Sequence, residues 1–364
     1  MSDHRSPYDE KTTTDPKFLL SLDGGGLRGI IPAMVLAKLE AQTGRPAGET
    51  FAFVAGTSTG AIIAAGLAAG VPASEIVRLY AEGSARVIDE NWWSWPVRQV
   101  RFYLHRGWQQ HSARLYELIR DTLGEQRDMR LNDASMDVMI TARHVDSGEH
   151  WHFTNDPPDP SPLYVPTGSL SLAHCAVASS AEPMFFSPWA VNDDPARHDQ
   201  GIQVGPFVDG GVGFDANPVY HACLEAFENR GGTYTAAETI VVSLGSGSGR
   251  ERQAPRGLGR WIRWTFQEMV DSSVEQQIRL VRRYCQPRAF YRINIDLGRA
   301  VRRDRLASLK GLRRCGETLA NAVDWEAILA GETTPFTVPA WPTPMPPLAV
   351  HCGGPSRLPL RTPR

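Results

Sequence analysis

Gly56-Thr57-Ser58-Thr59-Gly60 has the form G-x-S-x-G. A serine between two glycines fits a strand-to-helix elbow too sharp for flanking side chains, which lifts the Ser58 hydroxyl above the strand end as a nucleophile. The helix that follows points its N-terminus at the serine and favours negative charge there. A second glycine run, Gly24, Gly26 and Gly29, has the spacing G-x-G-x-x-G. Such a run is either a dinucleotide fingerprint or a loop whose successive N–H groups meet a developing oxyanion. Two features weigh against the dinucleotide. Asp23 stands where a pyrophosphate would meet another negative charge, and no acidic residue ends a second strand, since Glu40 lies within a helical pattern and Glu49 precedes its strand.

A serine nucleophile needs a base. None of the histidines after Ser58 stands in a recognisable loop after a late strand. His150 and His152 share a strand face and read as a surface or cross-strand pair, so no metal is expected there. Asp209 is the better base. It ends an apolar run and is followed by Gly210 and Gly211, which leave it accessible. A carboxylate accepts a serine proton directly when burial raises its pKa.

The elements that must hold these groups follow from pattern. Lys17 to Leu22 is a short apolar run and reads as a buried strand. Ile30 to Gln42 has helical periodicity and stops at Gly44. Phe51 to Val54 reads as a strand, Gly56 to Gly60 as a turn, Ala61 to Ala69 as a helix, and Pro72 to Ala85 as another. Strand, glycine turn and helix, twice over, predict an α/β fold with parallel strands. Further strands are expected at Asp137 to His144, Glu149 to Phe153, Gln203 to Val208, Thr239 to Leu244 and Phe290 to Ile295. Helices are expected at Ala113 to Leu123, Leu170 to Ala178, Pro218 to Glu228 and Trp261 to Tyr284. Phe51 to Val71 is nearly free of charge and long enough to span a bilayer. Its strand-turn-helix character favours a buried soluble segment whose small residues pack closely.

Asp23-Gly-Gly-Gly-Leu-Arg-Gly29, Gly56-Thr-Ser-Thr-Gly60 and Asp209-Gly-Gly211 together resemble the three signature blocks of the patatin-like phospholipases, in family order. Ala178-Ser-Ser-Ala-Glu-Pro183, Asp215-Ala-Asn-Pro218 and Ser243-Leu-Gly-Ser-Gly247 are similar to lesser blocks of that family. The resemblance implies a patatin-like three-layer sandwich with a mostly parallel central sheet flanked by helices. It implies a Ser58–Asp209 dyad, with Gly24, Gly25 and Gly26 as oxyanion hole. Arg28, in the first block with Gly29, either orders that loop or touches a lipid phosphate. Gly56 and Gly60 shape the elbow, and Gly210 and Gly211 complete the base motif. No cofactor and no metal are implied.

The chain of 364 residues carries a net charge of -2, with 42% hydrophobic and 21% charged residues. That excludes a disordered chain and a coiled coil, and it gives no whole-chain attraction to a nucleic acid polymer. The five cysteines are odd in number and form no C-x-x-C pair. With a polar N-terminal stretch lacking an apolar core, this predicts no disulfide framework, no secretory signal and a cytoplasmic location. The organisation expected is a polar segment 1–16, a catalytic domain 17–332 and a proline-rich tail 333–364. Residues 91–108 mix four tryptophans with arginines, which suits either a membrane interface or a buried lid. Residues 250–315 hold sixteen arginines and one lysine against six acids, a formal excess of +11. This stretch either meets anionic lipid or an anionic small-molecule activator, or pairs with acids elsewhere in the chain. Two functions follow: a lipid acyl hydrolase acting on membrane phospholipid at the membrane periphery, or the same hydrolase as an anti-phage effector switched on by a cyclic oligonucleotide. An oligomer is compatible with both.

Overall fold

A computed structural model describes residues 16–87, 109–157, 165–183, 185–192, 203–230, 232–249, 257–297 and 308–331. The tryptophan-rich stretch and the proline-rich tail lie outside the described residues, as do residues 250–256 and 298–307 of the basic stretch. Eight strands form one sheet: β1 (Lys17–Leu22), β2 (Phe53–Thr57), β3 (Asp137–His144), β4 (His150–Thr154), β5 (Trp189–Asn192), β6 (Gln203–Asp209), β7 (Thr239–Leu244) and β8 (Ala289–Ile293). Their order is β5-β6-β3-β2-β1-β7-β8, with β4 also paired to β3. The centre is parallel: β1 pairs with β2 and β7, β2 with β3, and β7 with β8. The β3–β4, β3–β6 and β5–β6 pairs are antiparallel.

Period-two alternation sorts the strand residues onto two faces. Leu20, Leu22, Val54, Val138, Ile140, Ile240 and Val242 join one core with residues of helices Ile30–Thr43, Thr59–Ala68, Leu172–Ser179 and Leu309–Ala322. Leu19, Phe53, Ala55, Met139 and Val241 join the other with Val219, Ala222, Cys223, Val281 and Cys285. Both faces of the central strands are therefore covered. This is why β1, β2 and β7 read as near-continuous apolar runs rather than alternating ones. The three-layer arrangement is the expected one.

The neutral stretch 51–71 divides as its pattern predicts, and no helix of the described residues is long and apolar enough to cross a membrane. The strand starts and ends later than expected. Gly56 pairs with Leu22 and Ile140 inside the ladder, so the turn shrinks to Ser58 alone. β5 went unpredicted because it has four residues and a register shift. Helix Leu309–Ala322, hidden in the basic stretch, buries Leu312, Cys315, Gly316 and Leu319. Gly316 packs so closely on Met34 of helix Ile30–Thr43 that a Cβ would lie 2.7 Å from its sulfur. Glu40 is occupied by capping: its carboxylate accepts from Ala47 N–H at 2.9 Å and Ala73 N–H at 2.9 Å. It thus closes the N-terminal ends of two neighbouring helices.

Helix Thr59–Ala68 is buried along its whole length and lies hard against β1 and β2. A Cβ on Gly56 would lie 2.2 Å from Gly60 O, and one on Gly60 would lie 2.3 Å from Leu22 O. Both obstacles are backbone, so no rotamer relieves them. Gly60→Ala and Gly56→Ala should each cost about 3 kcal/mol or more, the upper range for overpacking. Gly44→Ala, at a φ of +69° with open space around it, should cost about 1–2 kcal/mol. Urea unfolding midpoints compare the three, and equal losses would mean that the close helix–strand contact is not limiting.

Candidate active site

β3 pairs with β4 along one edge, and its other edge is shared. β2 occupies that edge up to Thr57 opposite Thr141, and β6 arrives antiparallel with Asp209 opposite Ala142. The ends of β2 and β6 therefore meet head-on at consecutive positions of β3. Ser58 follows the first end and Asp209 is the second, so strand register alone makes them neighbours. Both are buried, at 8% and 5% exposure.

Ser58 adopts φ 54° and ψ -124°, a backbone region that costs a non-glycine residue about 1–3 kcal/mol. Its backbone is held from both sides. Ser58 N–H donates to Ser179 Oγ at 2.8 Å, and Ser180 Oγ donates to Ser58 O at 2.9 Å. The next residue of that segment, Ala181, accepts from Asp209 N–H at 3.1 Å. Residues 179–181 thus clamp the serine and the aspartate in one rigid frame. Asp209 Oδ1 accepts from Gly211 N–H at 2.7 Å, which orients the carboxylate. Gly210 must be glycine, because a Cβ there would lie 2.4 Å from Thr141 Oγ1 and 2.6 Å from Thr141 O.

The first glycine block lies against the elbow. A Cβ on Gly24 would sit 3.2 Å from Ser58 Cβ. Gly24 N–H donates to Ala216 O at 2.9 Å, and Gly24 O accepts from Ser246 Oγ at 2.7 Å. Its N–H is therefore committed. Among the described residues no backbone carbonyl accepts from Gly25 N–H or Gly26 N–H, which open the turn Gly26–Gly29 before helix Ile30–Thr43. Gly26 has φ +57°. Arg28 is buried and turns its Nε to Gly25 O at 3.4 Å, so it orders its own loop.

Beneath these groups runs a row of hydroxyls on one sheet face. Ser21, Ser243, Thr57 and Thr141 are all buried. Asn217 accepts from Ser21 Oγ at 3.1 Å and donates to Ser243 Oγ at 3.2 Å. Thr57 Oγ1 lies 2.7 Å from Thr141 Oγ1 and donates to Asp215 O. The segment after Asp209 is thereby fastened across four strands. Asp23 is not exposed to a ligand phosphate. Arg292 Nη1 donates to its Oδ1 at 2.8 Å and Nη2 to Oδ2, while Nη1 also reaches Ser243 Oγ at 2.8 Å. Burial pushes the Asp23 carboxyl above its ordinary range, against the opposing pull of Arg292 and Arg28. Asp215 is fully buried and faces His150, His152 and His221. Burial alone would raise its pKa, but the three imidazoles outweigh burial and hold it well below the usual carboxylate range.

Ser58, Asp209, Gly24, Gly25, Gly26, Arg28, Gly29, Gly56, Gly60, Gly210 and Gly211 thus lie on the few segments that converge at these strand ends. Sequence reasoning missed the roles of Ser179, Ser180, Arg292 and the Asp215 cluster. The hydroxyl row carried a signal, polar residues recurring at the last inward positions of otherwise apolar strands.

A family model described as "Patatin-like phospholipase" matches residues 20–223, more than half of the chain. A protein of Pseudomonas aeruginosa named "cGAMP-activated phospholipase" is 28% identical over 267 residues, covering 72% of this chain and 74% of that protein. One of the same name from Vibrio cholerae is 28% identical over 235 residues, covering 62% of each. The crystal structure of VipD from Legionella pneumophila is similar at a TM-score of 0.39 and 15% identity, covering 85% of this chain and 67% of that one.

The Asp23–Arg292 pair is nearly dry, with side-chain exposures of 6% and 11%. Arg292→Met should cost about 3–5 kcal/mol by leaving a buried charge unpaired. Asp23→Asn with Arg292→Met should recover much of that. The deficit of the single variant should shrink as pH falls through the raised folded-state pKa of Asp23, because protonation removes the lone charge. Urea unfolding of the three proteins across pH checks this, and a pH-independent deficit would point to lost packing instead.

Proposed function

Because this chain belongs to the patatin-like phospholipase family, we propose that it hydrolyses carboxylic ester bonds of membrane phospholipids through Ser58 and Asp209. The observation that carries the reading is the junction of β2 and β6 on one edge of β3, which brings a strained serine next to a buried, oriented carboxylate. In the first step Ser58 Oγ bonds to the ester carbonyl carbon while its proton passes to Asp209. The carbonyl oxygen becomes an oxyanion and accepts from Gly25 N–H and Gly26 N–H, at the start of a helix where negative charge is favoured. Gly24 serves by position, since its N–H is already engaged. Collapse of the intermediate breaks the ester C–O bond, and Asp209 returns the proton to the leaving lysophospholipid. Asp209 then takes a proton from water as the water oxygen bonds to the acyl carbon. The Ser58 Oγ–acyl bond breaks, Asp209 returns the proton to Ser58 Oγ, and a fatty acid is released.

Exposed Phe185 and Phe214, on segments flanking Ala181 and Asp215, offer apolar surface to an acyl chain. In this reading the enzyme works in the cytoplasm and meets the bilayer peripherally. A second form of the reading is an effector held inactive until an anionic cyclic nucleotide binds. It is favoured by the names of the Pseudomonas and Vibrio relatives and by the excess of +11 in residues 250–315.

Fatty-acid release from mixed phospholipid vesicles tests both forms. Ser58→Ala and Asp209→Asn should each lose activity by about 10³-fold or more, because the pair acts as one unit. Near-normal turnover by Asp209→Asn would remove it as the base. A fluorophosphonate should label Ser58 and no other serine. Activity that appears only with added cyclic dinucleotide would select the regulated form.

A further inference from the structure

Asp215 has more imidazole around it than a carboxylate needs. His150 and His152 share one face of β4, Asp215 follows the base motif, and His221 sits on helix Val219–Leu224. His150 has an assigned task. Its Nε2 lies 2.6 Å from Arg143 Nη1, and a guanidinium can only donate, so the His150 proton resides on Nδ1. That proton is donated to Asp215 Oδ2 at 3.0 Å. The Oδ2 side of the carboxylate is therefore satisfied by His150, with His152 Nε2 at 3.4 Å beside it.

The Oδ1 side is different. His221 Nδ1 lies 2.6 Å from Asp215 Oδ1, yet both atoms are buried and neither makes a hydrogen bond. The two atoms are in close contact, shielded from solvent, and lack the angle of a hydrogen bond. A cation beside the pair would give both atoms the partner that their mutual angle does not. The donor atoms of His152, Asp215 and His221 all lie within 4.8 Å of one another. Ligand atoms around a tetrahedral zinc ion stand about 3.3 Å apart, at about 2.0–2.1 Å from the metal. His221 Nδ1 stands 2.6 Å from Asp215 Oδ1 and His152 Nε2 stands 3.4 Å from Oδ2, so the two imidazoles meet the two oxygens of one carboxylate.

We propose that His152, Asp215 and His221 form a binding site for one divalent transition-metal ion, zinc by preference, with the remaining position open to water. Two nitrogens and one carboxylate oxygen are a borderline-soft donor set suited to zinc rather than calcium or magnesium. The imidazoles are 29% and 28% exposed while Asp215 is fully buried, so the ion reaches the site from solvent and keeps a wet side. His150 is the positioning residue. Its Nδ1–H fixes the carboxylate from behind, the arrangement that outer-shell partners give to metal ligands. The ion would join β4, the segment after Asp209 and helix Val219–Leu224. Asp215 O holds Thr57 and Ala216 O holds Gly24, so the metal fastens a segment that touches both the elbow and the glycine loop. The site does not depend on the ester hydrolysis proposed above, and its test reads metal rather than turnover.

The full chain, stripped with chelator and dialysed, is titrated with Zn²⁺ by calorimetry and with Co²⁺ by visible absorption. One equivalent of Zn²⁺ should bind and raise the melting temperature, and Co²⁺ should give the intense bands of a four-coordinate site. His150→Gln should weaken Zn²⁺ by about 10- to 100-fold. His152→Gln and His221→Gln should weaken it more and abolish the Co²⁺ bands, while His144→Gln, a half-buried histidine on β3 outside the cluster, should leave Zn²⁺ binding unchanged. Folding of each metal-free variant is checked by circular dichroism. A folded wild type that binds no Zn²⁺, weak six-coordinate Co²⁺ bands, or undiminished binding by the two ligand variants would each overturn the site.

Discussion

Two strands compete for one edge of β3, and neither runs its full length. β2 stops at Thr57 because Ser58 takes a backbone conformation no strand can continue, and β6 stops at Asp209 because Gly210 is pressed onto Thr141. The gap between the two ends is the site. Everything nearby serves to keep that gap at a fixed width. Residues 179–181 bridge it with one hydrogen bond to each strand end and a further one to Ser58 O. The glycines at 56 and 60 let the elbow helix sit at backbone contact with β1, so the serine cannot retreat. Strain at Ser58 is tolerable only because both its N–H and its C=O are held by groups from another helix end.

The polar interior beneath the site follows from the same geometry. Parallel strands end together, and the helices that follow them leave a crevice at their carboxyl ends. The chain fills it with the segment 209–217 and holds that segment by hydrogen bonds from Ser21 to Asn217 and from Thr57 to Asp215. Asp23 and Arg292 close the far side. Their mutual attraction offsets a desolvation cost that either would bear alone, and the pair also anchors Ser243. Under the proposed function, the floor of the site is buried, and a charge developing there is worth more than it would be in water.

Much of this was legible in the residues before any coordinate. The glycines at 24, 25, 56, 60, 210 and 211 announce close approaches, since steric need for a missing Cβ is local and survives as a written letter. Strand and helix positions followed from apolar runs and stops, with errors where a feature was short, as in β5, or where charge masked periodicity, as in helix Leu309–Ala322. What could not be read was pairing at long range. Nothing near Arg292 says that its partner is Asp23, and nothing near Ser179 or Ser180 says that their partner is the backbone of Ser58. The His150 and His152 pair looked ordinary because the carboxylate that gathers them sits on another segment, and His221 on a third. Register, not composition, brings such groups together.

The order in which the chain leaves the ribosome gives the β3 junction a further meaning. Strand β2 and the serine emerge early, but the contacts that complete the site reach across the chain, 121 residues from Ser58 to Ser179 and 158 from Thr57 to Asp215. Until residues 179–181 and β6 have been made and have docked, the elbow lacks both its clamp and its proposed base. On the proposed Ser58–Asp209 dyad, a nascent or truncated chain is chemically silent, however well its first strands have folded. An interior built from distant segments works as a completeness check, with reactivity withheld from every fragment that ends before Asp209.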